Sequence, residues 1–398
     1  MVAASTTFDA KARPCHCGVC RRCWLAENSP RYQRHWGLPE VRPVALKPPG
    51  RATCLRRGEV LETRSCDECG GKLVEVFACD LHGICTDRIM LPIAEQVECC
   101  RLCHHKVTEV SPLKNVRMDS DKLVPGEAGA RFNASLARYQ SRLLMAYRTG
   151  WCGSQIHIAD LDEDYQVLGN TTIHLKHQLS NYGREDPRLF LHKGKLHLSY
   201  IGVKGHSWKT LNTNQLYCEL SDDLKAGVVH DPAYAMRQSW EKNWAFFEWS
   251  GLLLAVYQIH PHKVFHIVGD QAFPFAEVDY TPQWSGGALR GGAAPVLVGD
   301  EYWCFFHGAR DVHGLRTYST GVYTFEASPP FRPLRMTANP ILDAHTPSKP
   351  QHQWASVVFT CGAILEGNIW RLSSGIHDRW IEIHEFDHRQ LERAMVKL

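Results

Sequence analysis

From residue 112 onward the chain alternates apolar and polar positions in five separate stretches, residues 135–150, 187–202, 243–258, 294–308 and 356–375. Each is a short apolar strand, a turn carrying Gly or a small polar residue, and an alternating strand ending in an aromatic or small residue. Such alternation around a short turn is a β-hairpin pattern. The stretches recur every 50 to 70 residues, the interval of propeller blades, in which two further strands complete each four-stranded sheet. Residues 156–161 and 321–325 are candidates for such outer strands. The expected fold is all-β, a five-bladed β-propeller over residues 111–398, preceded by a small Cys-rich metal-binding domain. Helical periodicity is confined to residues 389–396. A β-sandwich would have shorter and less regular spacing.

The head, residues 1–110, has a different character. Of 16 cysteines, twelve lie between Cys15 and Cys103. One cluster is Cys15, Cys17, Cys20 and Cys23; a second runs over residues 54–103 with Cys54, Cys66, Cys69, Cys79, Cys85, Cys99, Cys100 and Cys103. Cys66-Asp67-Glu68-Cys69-Gly70-Gly71 is a CxxC followed by glycines, and Cys100-Arg101-Leu102-Cys103 is another CxxC. Two thiolates on one tight turn converge on one ion, the requirement of a zinc ribbon or knuckle. So short a segment builds little core, and metal would supply its folding energy. Structural zinc is the expectation; an iron–sulfur cluster uses the same thiolates, and disulfides require an oxidising compartment. The head reads as a docking module for a protein or a glycan.

Composition narrows the partners. A hydrophobic content of 44% with 22% charged residues describes a soluble globular protein. A net charge of +3 is too near neutral to argue for nucleic acid or a membrane surface. No run of about 18 apolar residues and no signal peptide is visible, so the expected location is the cytoplasm.

The candidate chemistry centres on Gly183-Arg184-Glu185-Asp186-Pro187-Arg188. A Glu-Asp pair between two arginines is too charged for a packed interior unless it is paired or lines a pocket. Pro187 is expected to press Asp186 towards an extended conformation at a strand entrance. In a propeller the inner strands converge on one funnel, so polar residues at matching places in several blades meet. Those places carry Asn133, Arg148, Asp186, Arg188, Glu241, Lys242, Asn243, Gln258, His260, Arg290, His307 and Asp378. Asp186, Glu185 and Glu241 are the candidate catalytic carboxylates. Arg148, Arg188 and Lys242 are fixed cations, suited to a phosphate if one is the nucleophile that the resemblance described below implies. Trp244 and Trp151 are aromatic candidates for stacking on a ligand face, although the core is the ordinary place for a tryptophan. No nucleotide-binding fingerprint is present.

Phe132-Asn133-Ala134-Ser135, Tyr147-Arg148, Glu185-Asp186-Pro187-Arg188, Glu241-Lys242-Asn243-Trp244, Gly291-Gly292 with Pro295, Phe306-His307-Gly308 and Ser374-Gly375-Ile376-His377-Asp378 follow one another in this order. Together they resemble the β-mannoside phosphorylases and mannosidases of glycoside hydrolase family 130 and related propeller glycosyltransferases, over residues 130–388. The resemblance implies a sugar bound in the axial funnel and Asp186 as general acid, acting by relay through a sugar hydroxyl. Inorganic phosphate would be the co-substrate, attacking the anomeric carbon with inversion, with no organic cofactor. It implies sugar contacts for Asn133 and Asp378, with Asn243, Arg290 and His307 as further binding residues, and an oligosaccharide or sugar phosphate as partner. The last motif departs from the Gly-Ala-Ala-Asp type common in phosphorylases. A glycosyltransferase or hydrolase of the same fold, and an inert propeller scaffold with a zinc docking module, are the alternatives.

Overall fold

The computed structural model describes residues 110–125, 130–150, 153–205, 211–312, 315–343 and 355–398, and in the head the backbone of three strands. These are β1 (Thr63–Ser65), β2 (Lys72–Cys79) and β3 (Cys85–Pro92), an antiparallel sheet in the order β1-β2-β3. Cys79 and Cys85 are cross-strand partners in it. Cys15, Cys17, Cys20, Cys23, Cys54, Cys66, Cys69, Cys99, Cys100 and Cys103 lie outside the described residues, as does Trp151. The chain divides into two compact units, one of residues 1–108 with 311–315 and 345–349, the other the remainder.

The larger unit is nearly all β. It begins with β4 (Lys114–Arg117). The first sheet is the meander β5 (Arg131–Tyr139), β6 (Arg142–Thr149), β7 (Gln155–Leu161) and β8 (Val167–Thr172). The second has three strands, β9 (Gly183–His192), β10 (Lys195–Lys204) and β11 (Asn212–Glu219). The third is β12 (Ala245–Trp249), β13 (Leu252–Gln258), β14 (His262–Val268) and β15 (Gln271–Val278). A larger sheet follows from β16 (Ala288–Gly291), β17 (Val296–Val298), β18 (Glu301–Val312), β19 (Leu315–Glu326) and β20 (Pro333–Thr337). It continues through β21 (Ala355–Glu366), β22 (Ile369–Ile376) and β23 (Trp380–Asp387), joined to β19 by a short parallel pairing at Arg316–Ala355. A short helix, α1 (His388–Arg393), and β24 (Met395–Lys397) end the chain. Asp387 caps α1 by accepting from the Gln390 backbone N–H at 2.9 Å, and Leu391 anchors it in the core.

Each predicted hairpin is found: β5/β6, β9/β10, β12/β13, β17/β18 and β21/β22. The regular fourth strand is missing from the second sheet. Residues 220–240 run irregularly along its edge instead, tied by bridges such as Tyr217–His230.

Packing explains the order of the sheets. Leu144, Ile156, Leu196 and Leu216 fill the space between the first and second. Phe190, Tyr217, Phe246 and Leu253 join the second to the third. Phe247, Leu254, Tyr302 and Phe306 continue from the third to β18. Trp303, Phe305, Trp370 and Leu372 pass from there to β22. Leu136, Met145, Ile381 and Ile383 return to the first sheet. The inner strands are buried along almost their whole length, as in β6 and β10, so both their faces need a packed neighbour. β4, the first strand of the larger unit, completes the sheet of β21–β23 by pairing with β23, and Arg117 Nη2 meets Glu382 Oε1 at 2.8 Å.

Candidate active site

A pocket of about 250 Å³ lies where the inner strands meet, lined by Asn133, Arg148, Glu185, Asp186, Lys242, Asn243, Arg290, His307 and Asp378 together with Phe132, Tyr318, Val357 and Phe359. Every group of strands contributes. A larger cleft of about 780 Å³ opens between the second and third sheets. Of its four histidines, His192 meets Glu248 and His230 meets Asp270, and the cleft gathers no comparable convergence of charge.

The polar side chains reach the pocket because the inner strands are interrupted there. The register of β5 on β6 shifts between Phe132 and Ser135, and Asn133 has φ of 53°. The register of β9 on β10 shifts opposite Asp186, between Ser199 and Ile201, and Asp186 has φ of 49°. Asn243 (φ 67°) and Asp378 (φ 53°) share this left-handed conformation. A bulge turns a side chain out of the pleat, and Asn and Asp tolerate the conformation better than other non-glycine residues. The extended conformation expected of Asp186 before Pro187 is therefore corrected: the bulge overrides the local preference. Close approach makes room for it. A Cβ on Gly375 would fall 2.0 Å from Asn133 Oδ1, and one on Gly291 would fall 2.0 Å from the Asn243 carbonyl.

Asp186 is buried, and its Oδ1 accepts from Asn133 Nδ2 at 2.6 Å. Arg148 bridges the pair of acids, with Nη1 3.5 Å from Asp186 Oδ1 and Nη2 donating to Glu185 Oε1 at 3.2 Å. Nη2 also donates to the Gly150 carbonyl at 3.2 Å, and the guanidinium lies 4.6 Å from the Phe132 ring centre. Burial raises the Glu185 carboxyl; Arg148 opposes this and the neighbouring Asp186 adds to it. Asp378 is pushed up to about 6, chiefly by burial, with Arg148 opposing and Asp186 and Glu185 reinforcing. His307 is held well below the usual imidazole range by burial and by Arg188, Arg290 and Lys242, so it is neutral. It lies 4.4 Å from the Phe359 ring and 5.4 Å from Tyr318.

Five residues expected in the site, Glu241, Trp244, Arg188, Gln258 and His260, are absent from the pocket lining. The Glu241 carboxylate accepts from Tyr234 Oη at 2.9 Å, the Gln238 backbone N–H at 2.6 Å and Trp244 Nε1 at 3.2 Å. It is a structural clasp, and Trp244 is buried in the core beside it. Arg188 is fully buried behind the wall, donating to the Gly292 carbonyl and, at 3.1 Å, to Asn243 Oδ1. Its charge still reaches the pocket through His307. Gln258 turns back to the His260 carbonyl, and neither residue lines the pocket. Phe132, Tyr318 and Phe359 were not expected. They stand in apolar strands, where an aromatic reads as core.

Four cations, Arg148, Lys242, Arg290 and the deeper Arg188, thus surround three carboxylates in an enclosed space. Such a site can donate a proton and hold an anion. Among the described residues no three His, Cys, Asp or Glu side chains are arranged to hold a metal ion.

These features define a propeller-like protein with a carboxylate pair clamped in a cationic pocket. Residues 104–396 match the family model described as beta-1,4-mannooligosaccharide phosphorylase, and the chain belongs to that family, glycoside hydrolase family 130. A β-1,2-mannobiose phosphorylase of Listeria innocua is 27% identical over 96 residues, 24% of this chain and 26% of that protein. The aligned segment thus spans about a quarter of that relative. The structure of the Listeria innocua β-1,2-mannobiose phosphorylase in complex with β-1,2-mannobiose superposes with a TM-score of 0.54 at 15% identity, covering 71% of this chain and 99% of that one. A putative glycoside hydrolase of Bacteroides ovatus gives a TM-score of 0.52 at 15% identity, covering 65% of this chain and 86% of that one. The fold is shared with these structures.

Proposed function

We propose that the protein is an inverting glycoside phosphorylase acting on β-mannosides, with Asp186 as general acid. The observation that carries this is the Asp186 carboxylate, buried and fixed by Asn133 and Arg148 within one pocket that also presents Lys242, Arg290 and neutral His307. Family membership supports the substrate class.

In this reading Arg148, Lys242 and Arg290 hold inorganic phosphate, and Arg188 adds its charge from behind. The glycosidic bond breaks with its electron pair going to the leaving oxygen. That oxygen takes a proton from a sugar hydroxyl, which Asp186 replenishes. A phosphate oxygen forms the new bond to the anomeric carbon from the opposite face, giving an inverted sugar 1-phosphate. Asn133 and Asp378 hold sugar hydroxyls, and Phe132, Tyr318 and Phe359 supply the apolar wall. The ring closure of the five core clusters supports counting the strands as five blades. The CxxC spacings support structural zinc in the head, which metal analysis of the purified protein tests.

The experiment is incubation with β-1,2- and β-1,4-linked manno-oligosaccharides, with and without phosphate, followed by phosphorus and proton NMR. A sugar 1-phosphate formed only with phosphate, and lost by about a thousandfold or more in Asp186→Asn, is expected. Free mannose at equal rates in both tubes would make it a hydrolase, and unaltered turnover in the variant would remove Asp186 from the mechanism.

A further inference from the structure

Trp240 is 56% exposed, the largest side chain among the exposed apolar residues described. A lone exposed apolar residue is ordinary on a protein surface. Two observations set this one apart. The first is its place in the register. Gly183 of β9 pairs with Val203 of β10, Val203 with Thr213 of β11, and Thr213 bridges Trp240 in parallel. Glu185 stands just beyond Gly183 on β9, so Trp240 lies at the pocket end of the second sheet. Three strand spacings of about 4.8 Å separate its backbone from β9. The second is the cation beside its ring. Lys242 lines the pocket, and its Nζ lies over the Trp240 ring, 5.9 Å from the centre. The indole and the pocket therefore share one lysine.

The segment is held firmly. The Glu241 N–H donates to the Thr213 carbonyl at 3.0 Å, and the Thr213 N–H to the Ser239 carbonyl at 3.2 Å. Between Trp240 and Lys242 the Glu241 carboxylate is tied to Tyr234, Gln238 and Trp244. At about 250 Å³ the pocket is also smaller than a typical ligand site, which runs from about 300 to 1,000 Å³. A longer glycan must continue past its mouth.

We propose that Trp240 and Lys242 form a platform at the mouth of the pocket that holds a further pyranose of an oligosaccharide, so that chains are preferred over disaccharides. The apolar face of a pyranose packs on the indole, and the ammonium meets its hydroxyls. This rests on the reading of the pocket as a glycan site.

The test is calorimetric titration in the Asp186→Asn background, with disaccharides and tetrasaccharides of the β-1,2-manno, β-1,4-manno, β-1,4-gluco and β-1,4-xylo series. The tetrasaccharide should bind more tightly than its disaccharide. W240A should weaken the tetrasaccharide by about tenfold, several times its effect on the disaccharide, and W240F should recover most of the loss. Equal losses at both lengths, or none, overturn the platform. Binding and length dependence confined to a non-mannoside series leave the platform standing and overturn the substrate assignment instead. No binding by any glycan in the panel overturns the platform.

Discussion

Glu241 shows what a sequence does and does not say about a single residue. It stands beside Lys242 and Asn243, which line the pocket, and shares their polar character, so nothing in the local pattern separates it from them. The signal that could have done so is its aromatic company: Trp244 three residues on and Tyr234 seven residues back each bring a donor that needs an acceptor when buried. Three donors share this carboxylate, and Gln offers a single acceptor oxygen. Glu241→Gln should therefore leave at least one buried donor badly placed and cost about 1–3 kcal/mol of stability. The urea midpoint should fall, and the KM for phosphate should rise as Lys242 shifts. Both limbs of the pH–rate profile should remain. Loss of one limb, with the midpoint unchanged, would return Glu241 to the acid–base machinery.

At the level of elements, the hairpins were legible because alternation and turn residues are local. The positions of Asn133, Arg148, Lys242, Arg290, His307 and Asp378 were legible because the same kind of residue recurs at the same point of each repeat. The bulges were not. An extra residue in a strand leaves no mark in composition, and the preference imposed by Pro187 pointed Asp186 the other way. The aromatic wall was hidden for a similar reason: Phe359 differs from its core neighbours only in which inner strand lies opposite. The bulge of β5 gives a direct test. Gly375 on β22 packs against it so tightly that a Cβ would lie 2.0 Å from Asn133 Oδ1 and 2.6 Å from Asn133 N. Gly375→Ala must displace Asn133 and so loosen its bond to Asp186. A misplacement on the order of 1 Å is enough to cost roughly a hundredfold in turnover. The expected result is a drop of about ten- to a hundredfold in kcat/KM with a lowered Tm. Gly169→Ala on β8, where a Cβ meets nothing within 4 Å, is the control and should change neither. Full activity in Gly375→Ala would show that the Asn133 contact does not position the acid.

The whole molecule carries its titration in its core, because the sheets bury histidines along with their apolar faces. Burial holds His157 and His384 down to about 4 and His262 down to about 3, and it holds His307 well below the ordinary range. Each stays neutral in the fold and gains a proton on unfolding below the ordinary value of 6.5. Their contribution is complete above pH 6.5 and is lost as pH falls towards 4, at about 1.4 kcal/mol per pH unit for each group. The raised carboxyls act in the opposite sense. Asp378, at about 6 in the fold, and Glu185 bind protons more readily folded than unfolded. The stability they contribute is present below the ordinary carboxylate range and fades as pH rises through their raised values, about 6 for Asp378. His192 and His197 are lowered by burial as well, so among the described residues the lowered imidazoles outnumber the two raised carboxyls and unfolding takes up protons as pH falls below 6.5. The fold should therefore weaken steeply with acid even though its active-site carboxyls resist. Urea unfolding at pH 7 and pH 5 should show the midpoint falling. His384→Asn, which keeps a side-chain donor for Asn115 Oδ1, 2.8 Å from His384 Nδ1, should reduce the slope by about 1.4 kcal/mol per pH unit. A midpoint independent of pH across this window would mean that the buried imidazoles find water or a proton in the folded state.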